Sequence, residues 1–279
     1  MNYNNNYNNI DIDVNDSGAT TNCNYTIIQE GSYILLYYIK HSWLVKVERN
    51  KVMHTHIGII DVGSAIGKSY GSYIESSLGK RVYLLKPLIY DVVMKSERRT
   101  QIVYPKDMGY IASRLGLQAG VKVLEIGLGS GALTTFIASI VKPHGHVYSY
   151  EIRGEFIPIA KKNLSKLGLE DYVTIINKDA KDGIDVKDID AAVIDMGEPW
   201  SVVSNVYNAL KGSAPICAIC PTMNQLERFA TALRSNNFID LEFTEIMIRH
   251  IEAREGMSRP MFRMIGHTAY LAFARKVYT

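Results

Sequence analysis

From residue 121 onward, short apolar runs alternate with helical ones, and that alternation restricts the available folds more than any other feature of the sequence. The runs "VKVLEIG", "HVYSYEI", "VTIINKD", "AAVIDM" and "APICAIC" have the length and apolar character of buried strands. Between them lie a helix beginning at about Ala132, the amphipathic "EFIPIAKKNLSKLG", and helices over "SVVSNVYNAL" and "NQLERFATALRSN". Such repetition implies crossover units and an α/β fold, a parallel sheet covered on both faces. The end of the chain differs. "LEFTEIMIRHIEAR" and "GHTAYLAFARK" are strands with no helical crossover between them, so an antiparallel hairpin is expected at one sheet edge.

Upstream the period changes. "GSYILLYYI", "SWLVKVE", "THIGIIDV" and "KRVYLLKP" are short β-rich runs separated by Gly, Ser, Asn and Lys, which predicts a small all-β N-terminal domain over residues 25–95. The charged connector "KSERRT" then leads into the α/β domain, residues 96–279. Residues 1–24 hold nine asparagines and few apolar residues, too little burial to offset ordering, so a disordered tail is expected there. No apolar run approaches the ~18 residues of a membrane span, and asparagines stand where a signal peptide would be apolar. The expectation is a cytoplasmic protein with no membrane partner. Its net charge of +3 permits a nucleic-acid partner without requiring one.

Two motifs are set aside. "GSAIGKS" at residues 63–69 is one residue short of a Walker loop and precedes a stretch too rich in Gly and Ser to be the required helix, so it reads as a turn. Cys217 and Cys220 lie on a strand, where a spacing of three sends side chains to opposite faces and opposes a metal site.

"VLEIGLGSGALT", residues 123–134, has the right context for a nucleotide: a strand, then Gly127, Gly129 and Gly131, then a helix. Glycines let the backbone approach a ligand and present helix N-terminal amides to it. Glu151 ends the next strand, 22 residues beyond Gly129, where an acid accepts hydrogen bonds from ribose hydroxyls. Asp179 and Asp195 end the two strands that follow, so four strand ends converge on one crevice. A nicotinamide dinucleotide would also fit this spacing. Glu125 before the loop, the G-x-G-x-G preference and the final hairpin favour S-adenosylmethionine instead.

Taken with "TQIVYPKD" (100–107), "YEIR" (150–153), "KDAKDGI" (178–184), "IDMGEPW" (194–200), "PTMNQ" (221–225) and "FRMIGHTAYLAFARK" (262–276), the glycine loop completes a recognisable set. From about residue 25 to its end the sequence resembles the tRNA adenine N(1)-methyltransferases of the T-loop, in their archaeal and bacterial homo-oligomeric form. The resemblance implies a class I methyltransferase Rossmann-like sheet, tRNA as partner, and a homotetramer. It would place S-adenosylmethionine on Gly127, Leu128, Gly129, Ser130, Gly131, Ala132 and Leu133. Glu151 would meet the ribose, with Phe156 one helical turn further on, Asp179 and Ala180 the adenine, and Gln101 would close over the methionine end. Asp195, which borders the cofactor, would be the catalytic residue, accepting from the 6-amino group of a flipped adenine as N(1) attacks the methyl. Glu198 is assigned to the turn, Pro199 and Trp200 to the pocket wall, and Trp200 or Tyr104 to stacking on the base. Arg98, Arg99, Lys106, Arg249, Arg254, Arg259, Arg263 and His267 are the candidates for gripping phosphate. Two departures stand out: Leu128 replaces a usual Thr, and Met196-Gly197 replaces Leu-Pro in the turn. A class I methyltransferase with a small-molecule or protein substrate, a nicotinamide-dependent oxidoreductase and a non-catalytic RNA-binding subunit are the competing readings.

Overall fold

The computed structural model describes residues 26–98 and 101–278, so the expected tail and Arg99 lie outside the described residues. The N-terminal part is all-β before its last helix. β1 (Tyr33–Tyr38), β2 (His41–Lys46), β5 (Tyr73–Glu75) and β6 (Arg81–Leu85) form an antiparallel sheet in the order β2-β1-β6-β5, and β3 (Val52–Thr55) pairs with β4 (Gly58–Asp61). Alternate residues such as Ile34, Leu36, Val82 and Leu84 fill its core, as period-two patterning requires. "GSAIGKS" is a turn here, begun by a 3-10 helix over Val62–Ala65 whose start is capped by Asp61.

Helix α1 (Ile89–Lys95) leaves this unit and sends Ile89, Val93 and Met94 into the core of the α/β part. Then follow α2 (Pro105–Arg114), β7 (Lys122–Ile126), α3 (Ala132–Val141), β8 (His146–Tyr150), α4 (Ile157–Ser165), β9 (Val173–Ile176), β10 (Ala191–Ile194), α5 (Val203–Ala209), β11 (Pro215–Cys220) and α6 (Met223–Ser235). β12 (Phe238–Glu245), β13 (Ile251–Glu252), β14 (Arg259–Pro260) and β15 (Tyr270–Lys276) complete the chain. Seven strands make the central sheet, ordered β12-β15-β11-β10-β7-β8-β9. β12 and β15 are the expected antiparallel pair, with β12 at the edge and β15 inserted against β11. A short ribbon of β13 and β14 interrupts them.

Helices cover both faces. One core unites α1 to α4 with Val123, Val193 and Cys217, and the other unites α5 and α6 with Leu124, Ala192 and Cys220. The two cysteines are therefore buried on opposite faces, as their spacing on a strand demands. Sheet order reverses between β7 and β10: β8 and β9 extend one way, β11 the other. Ligands of open α/β sheets bind at such a reversal, outside the carboxyl ends of the strands.

Candidate active site

Gly127 and Asp195 follow β7 and β10, the two strands at the reversal, and they touch. A Cβ built on Gly127, whose φ is +98°, would lie 2.0 Å from the Asp195 carbonyl oxygen. Gly131 is similarly constrained: at φ +77° its Cβ would sit 2.9 Å from the Ala160 Cβ on α4. Both glycines are thus demanded by packing of the protein on itself, and only indirectly by a ligand. Gly129 has a different task. Its N–H donates to Glu151 Oε2 at 2.9 Å, which locks the loop to the end of β8. The other oxygen of Glu151 accepts from the Arg153 backbone N–H at 2.9 Å and Nε at 3.3 Å. Gly131 caps α3 without a side chain, leaving first-turn amides for a ligand.

Beneath the loop Glu125 is fully buried. Its Oε2 accepts from Thr134 Oγ1 at 2.6 Å and Ser149 Oγ at 2.5 Å, while Oε1 has no partner. Burial pushes this carboxyl up to about 8, against the two hydroxyl hydrogen bonds that lower it.

Three cavities meet at Asp195, two of them beside the loop. One of about 290 Å³ is lined by Gln101, Gly127 to Ser130, Ala132, Leu133, Arg153, Asp195 and Gln225 among others. A second, about 260 Å³, contains Glu151, Asp179 and Ala180. A third, about 110 Å³, lies between Tyr104, Asp107, Ile219, Pro221 and Thr268. Asp195 lines all three. Burial, then the charge of Glu151, push its carboxyl up to about 6, while Arg153 opposes them. No described residue donates a hydrogen bond to that carboxylate.

Most residues singled out in the sequence therefore converge on this crevice. Phe156 lines none of the cavities: it is buried beneath Arg153, whose guanidinium lies 4.2 Å above its ring. Trp200 is also elsewhere, covered by the Arg228 guanidinium at 5.0 Å. Tyr104 lines the third cavity and the larger groove beyond it, and Trp200 lines neither. Asp179 caps a 3-10 turn by accepting from the Lys181 N–H at 2.9 Å. Glu198 pairs with Lys181 Nζ at 2.5 Å, tying the turn after β10 to the turn after β9.

Among the proposed phosphate-gripping cations, Lys106 is turned inward onto Asp107, and Arg254 and Arg259 pair with Glu252. Arg98 is exposed, and Arg263 lines the large groove. Arg153, which borders two cavities, and Gln225, whose Nε2 donates to the Gly197 carbonyl at 2.9 Å, were not assigned to the site from sequence. Both lie in motifs that carry the resemblance, "YEIR" and "PTMNQ", which was the available signal.

Because β15 runs antiparallel inside the sheet, no second mononucleotide half exists, and the crevice at the reversal is that of a class I methyltransferase and not of a dinucleotide dehydrogenase. Solved structures agree. A SAM-dependent O-methyltransferase from Thermotoga maritima superposes with a TM-score of 0.87 at 39% identity, over 90% of this chain and 95% of that one. The tRNA (m1A58) methyltransferase TrmI from Aquifex aeolicus gives 0.80 at 34% identity, over 91% and 100%. In sequence, a tRNA (adenine(57)-N(1)/adenine(58)-N(1))-methyltransferase TrmI from Methanocaldococcus jannaschii is 35% identical over 79% of this chain and 86% of its own length. Residues 80–258 match the family described as tRNA methyltransferase complex GCD14 subunit, and the chain belongs to that family.

Proposed function

We propose that this protein transfers the methyl group of S-adenosylmethionine to N(1) of an adenine in the T-loop of tRNA, the base numbered 58 in the relatives' names. The observation that carries this reading is the position of Asp195 where three cavities meet, one beside the glycine loop and one beside Tyr104. Loop amides, Glu151 and Asp179 have the donor and acceptor character that an adenosyl group with an amino-acid tail requires. When bound, the cofactor supplies an electrophilic sulfonium methyl.

The chain's own residues then have distinct tasks. Gly127 to Leu133 and Gln101 hold the donor, and Glu151 and Asp179 orient its sugar and base. The third cavity receives the acceptor adenine, extruded because a stacked base hides N(1). Tyr104 at its mouth offers a face for stacking. Asp195 accepts from the 6-amino group, and its attraction grows as the ring becomes cationic, so it stabilises the transition state more than the ground state.

The protein acts in the cytoplasm as a homotetramer in this reading. Self-association is supported by the ribbon region, where Met257, Phe262, Met264 and Ile265 are exposed. Among the described residues no helix is long and apolar enough to cross a membrane.

Incubating the protein with labelled cofactor and unmodified tRNA, then mapping the modified nucleoside, tests the reaction. The expected product is 1-methyladenosine in the T-loop; label at any other atom would refute the proposal.

A further inference from the structure

His267 and Thr268 are adjacent, and each is bonded to a different wall of the third cavity. Toward α2, Thr268 Oγ1 donates to Asp107 Oδ2 at 3.0 Å and accepts from Lys106 Nζ at 2.6 Å. The Lys106 ammonium also lies 2.7 Å from Asp107 Oδ1, which closes a ring of three groups. Asp107 is 1% exposed and the Lys106 side chain 10%, so this is an internal structure.

Toward the loop between β11 and α6, His267 Nε2 lies 2.9 Å from the Pro221 carbonyl and Nδ1 lies 2.6 Å from Glu245 Oε1. A carbonyl can only accept, so Nε2 carries a proton; a carboxylate on Nδ1 makes that nitrogen a donor too. The hydrogen bonds to Glu245 first and the Pro221 carbonyl second push the imidazole up from its ordinary range, with desolvation and then Lys106 opposing, and the Tyr270 ring lies 4.6 Å away. From Pro221 the chain of bonds continues to the catalytic turn. Thr222 and Gln225 form a capping box at the start of α6, and Gln225 holds Gly197, two residues past Asp195.

The fold does not need these bonds to place the segment. β15 is fixed by ladders to β11 and β12, and a buried ion pair contributes little net stability. What the bonds do set is the separation of α2 from the β11–α6 loop, across a cavity of about 110 Å³. Resting on the tRNA reading above, we propose that His267 and Thr268 are positioning residues, a two-sided clip that fixes the acceptor-base cavity and hence the distance of the base from Asp195. Lys106 and His267 then serve this clip and not the phosphate backbone. Misplacing a bound reactant by about 1 Å can cost on the order of 10²-fold in rate, so a loosened clip acts on turnover before binding.

Full-length variants test the proposal. Thr268→Val removes the hydroxyl at nearly constant shape, and Thr268→Ser restores it. For Thr268→Val, kcat for tRNA methylation is expected to fall about tenfold or more, with KM for tRNA and affinity for S-adenosylhomocysteine within about twofold of the parent. Thr268→Ser should recover most of kcat. His267→Ala should behave like Thr268→Val, and amide exchange in segments 104–108 and 221–225 should quicken in the respective variants. The clip is refuted if Thr268→Val turns over at the parent rate, if Ser and Val variants are equally impaired, or if cofactor affinity falls in step with kcat. Should the parent itself leave tRNA unmodified, the reaction assignment fails and the exchange measurement still decides the clip: quickened exchange supports it and unchanged exchange overturns it.

Discussion

Asp195 is half-buried, and in the proposed reaction its ionisation sets the pH at which it can act. With its carboxyl pushed up to about 6, the proportion able to accept from an adenine amino group falls as pH drops through that value. Methylation by the parent is therefore expected to decline below about pH 6, and Asp195→Asn should show no such decline in its residual activity. Asp195→Ala should bind S-adenosylhomocysteine normally and lose on the order of 10²-fold or more in turnover, read in a single-turnover assay. Glu125 carries the stability consequence. A folded carboxyl raised to about 8 from an ordinary 4.5 contributes stability below 4.5 that is lost as pH rises through 8. Glu125→Gln should accordingly flatten the fall in thermal unfolding temperature between about pH 4.5 and 8. Gly197 has open space around a built Cβ and no left-handed φ, so Gly197→Ala should stabilise by about 0.4–1 kcal/mol through the unfolded chain. The sequence made the glycines of the loop conspicuous, but not why each is glycine. Gly127 is dictated by a carbonyl 68 residues later and Gly131 by a helix 29 residues later, contacts that no local pattern encodes.

Elements with a repeating apolar period were legible in the sequence, and those read as motifs were not. The parallel strands of the central sheet and helices α3 to α6 fall where alternation places them, because burial on both faces of the sheet leaves a continuous apolar signature, whereas the strand expected over 241–254 runs Phe238–Glu245 instead. Helix α2 was obscured by its own conspicuous start, "YPKD". Yet Pro105 at its first turn and Met108, Ile111 and Leu115 on one face are ordinary helix signals. Lys276 shows how one element end can depend on another. From β15 its Nζ donates to the Tyr207 and Leu210 carbonyls at 2.7 Å each, neutralising the end of α5. Lys276→Met keeps the length of the side chain and strands those carbonyls, so a loss of about 2 kcal/mol is expected in denaturant unfolding, with methylation unaffected at low temperature.

At the scale of the whole molecule, three segments that are distant in sequence, "YPKD", "PTMNQ" and "GHT", meet around one small cavity. Their co-occurrence pointed to the family without disclosing the geometry, since hydrogen bonds spanning 162 residues leave no periodic trace. The exposed apolar ribbon belongs to this scale too. Replacing Phe262, 85% exposed, and Ile265 with serine should reduce the mass measured by light scattering while leaving the monomer fold intact by circular dichroism.

The order of the central sheet has a consequence for how the molecule is made. β15 is synthesised after every other strand of that sheet, yet its place is between β11 and β12 and not at an edge. Until it arrives, β11, with the sequence "PICAIC", presents an unpaired apolar border to its surroundings, and β12 has no neighbour to join. A nascent chain halted before residue 268 can build the glycine loop and the turn after β10, but it carries an open, adhesive sheet and lacks Thr268 and Ala269 at the wall of the third cavity. Completion of the last strand thus closes the sheet and the active site together, so protection from aggregation and competence for chemistry come at the same moment of translation.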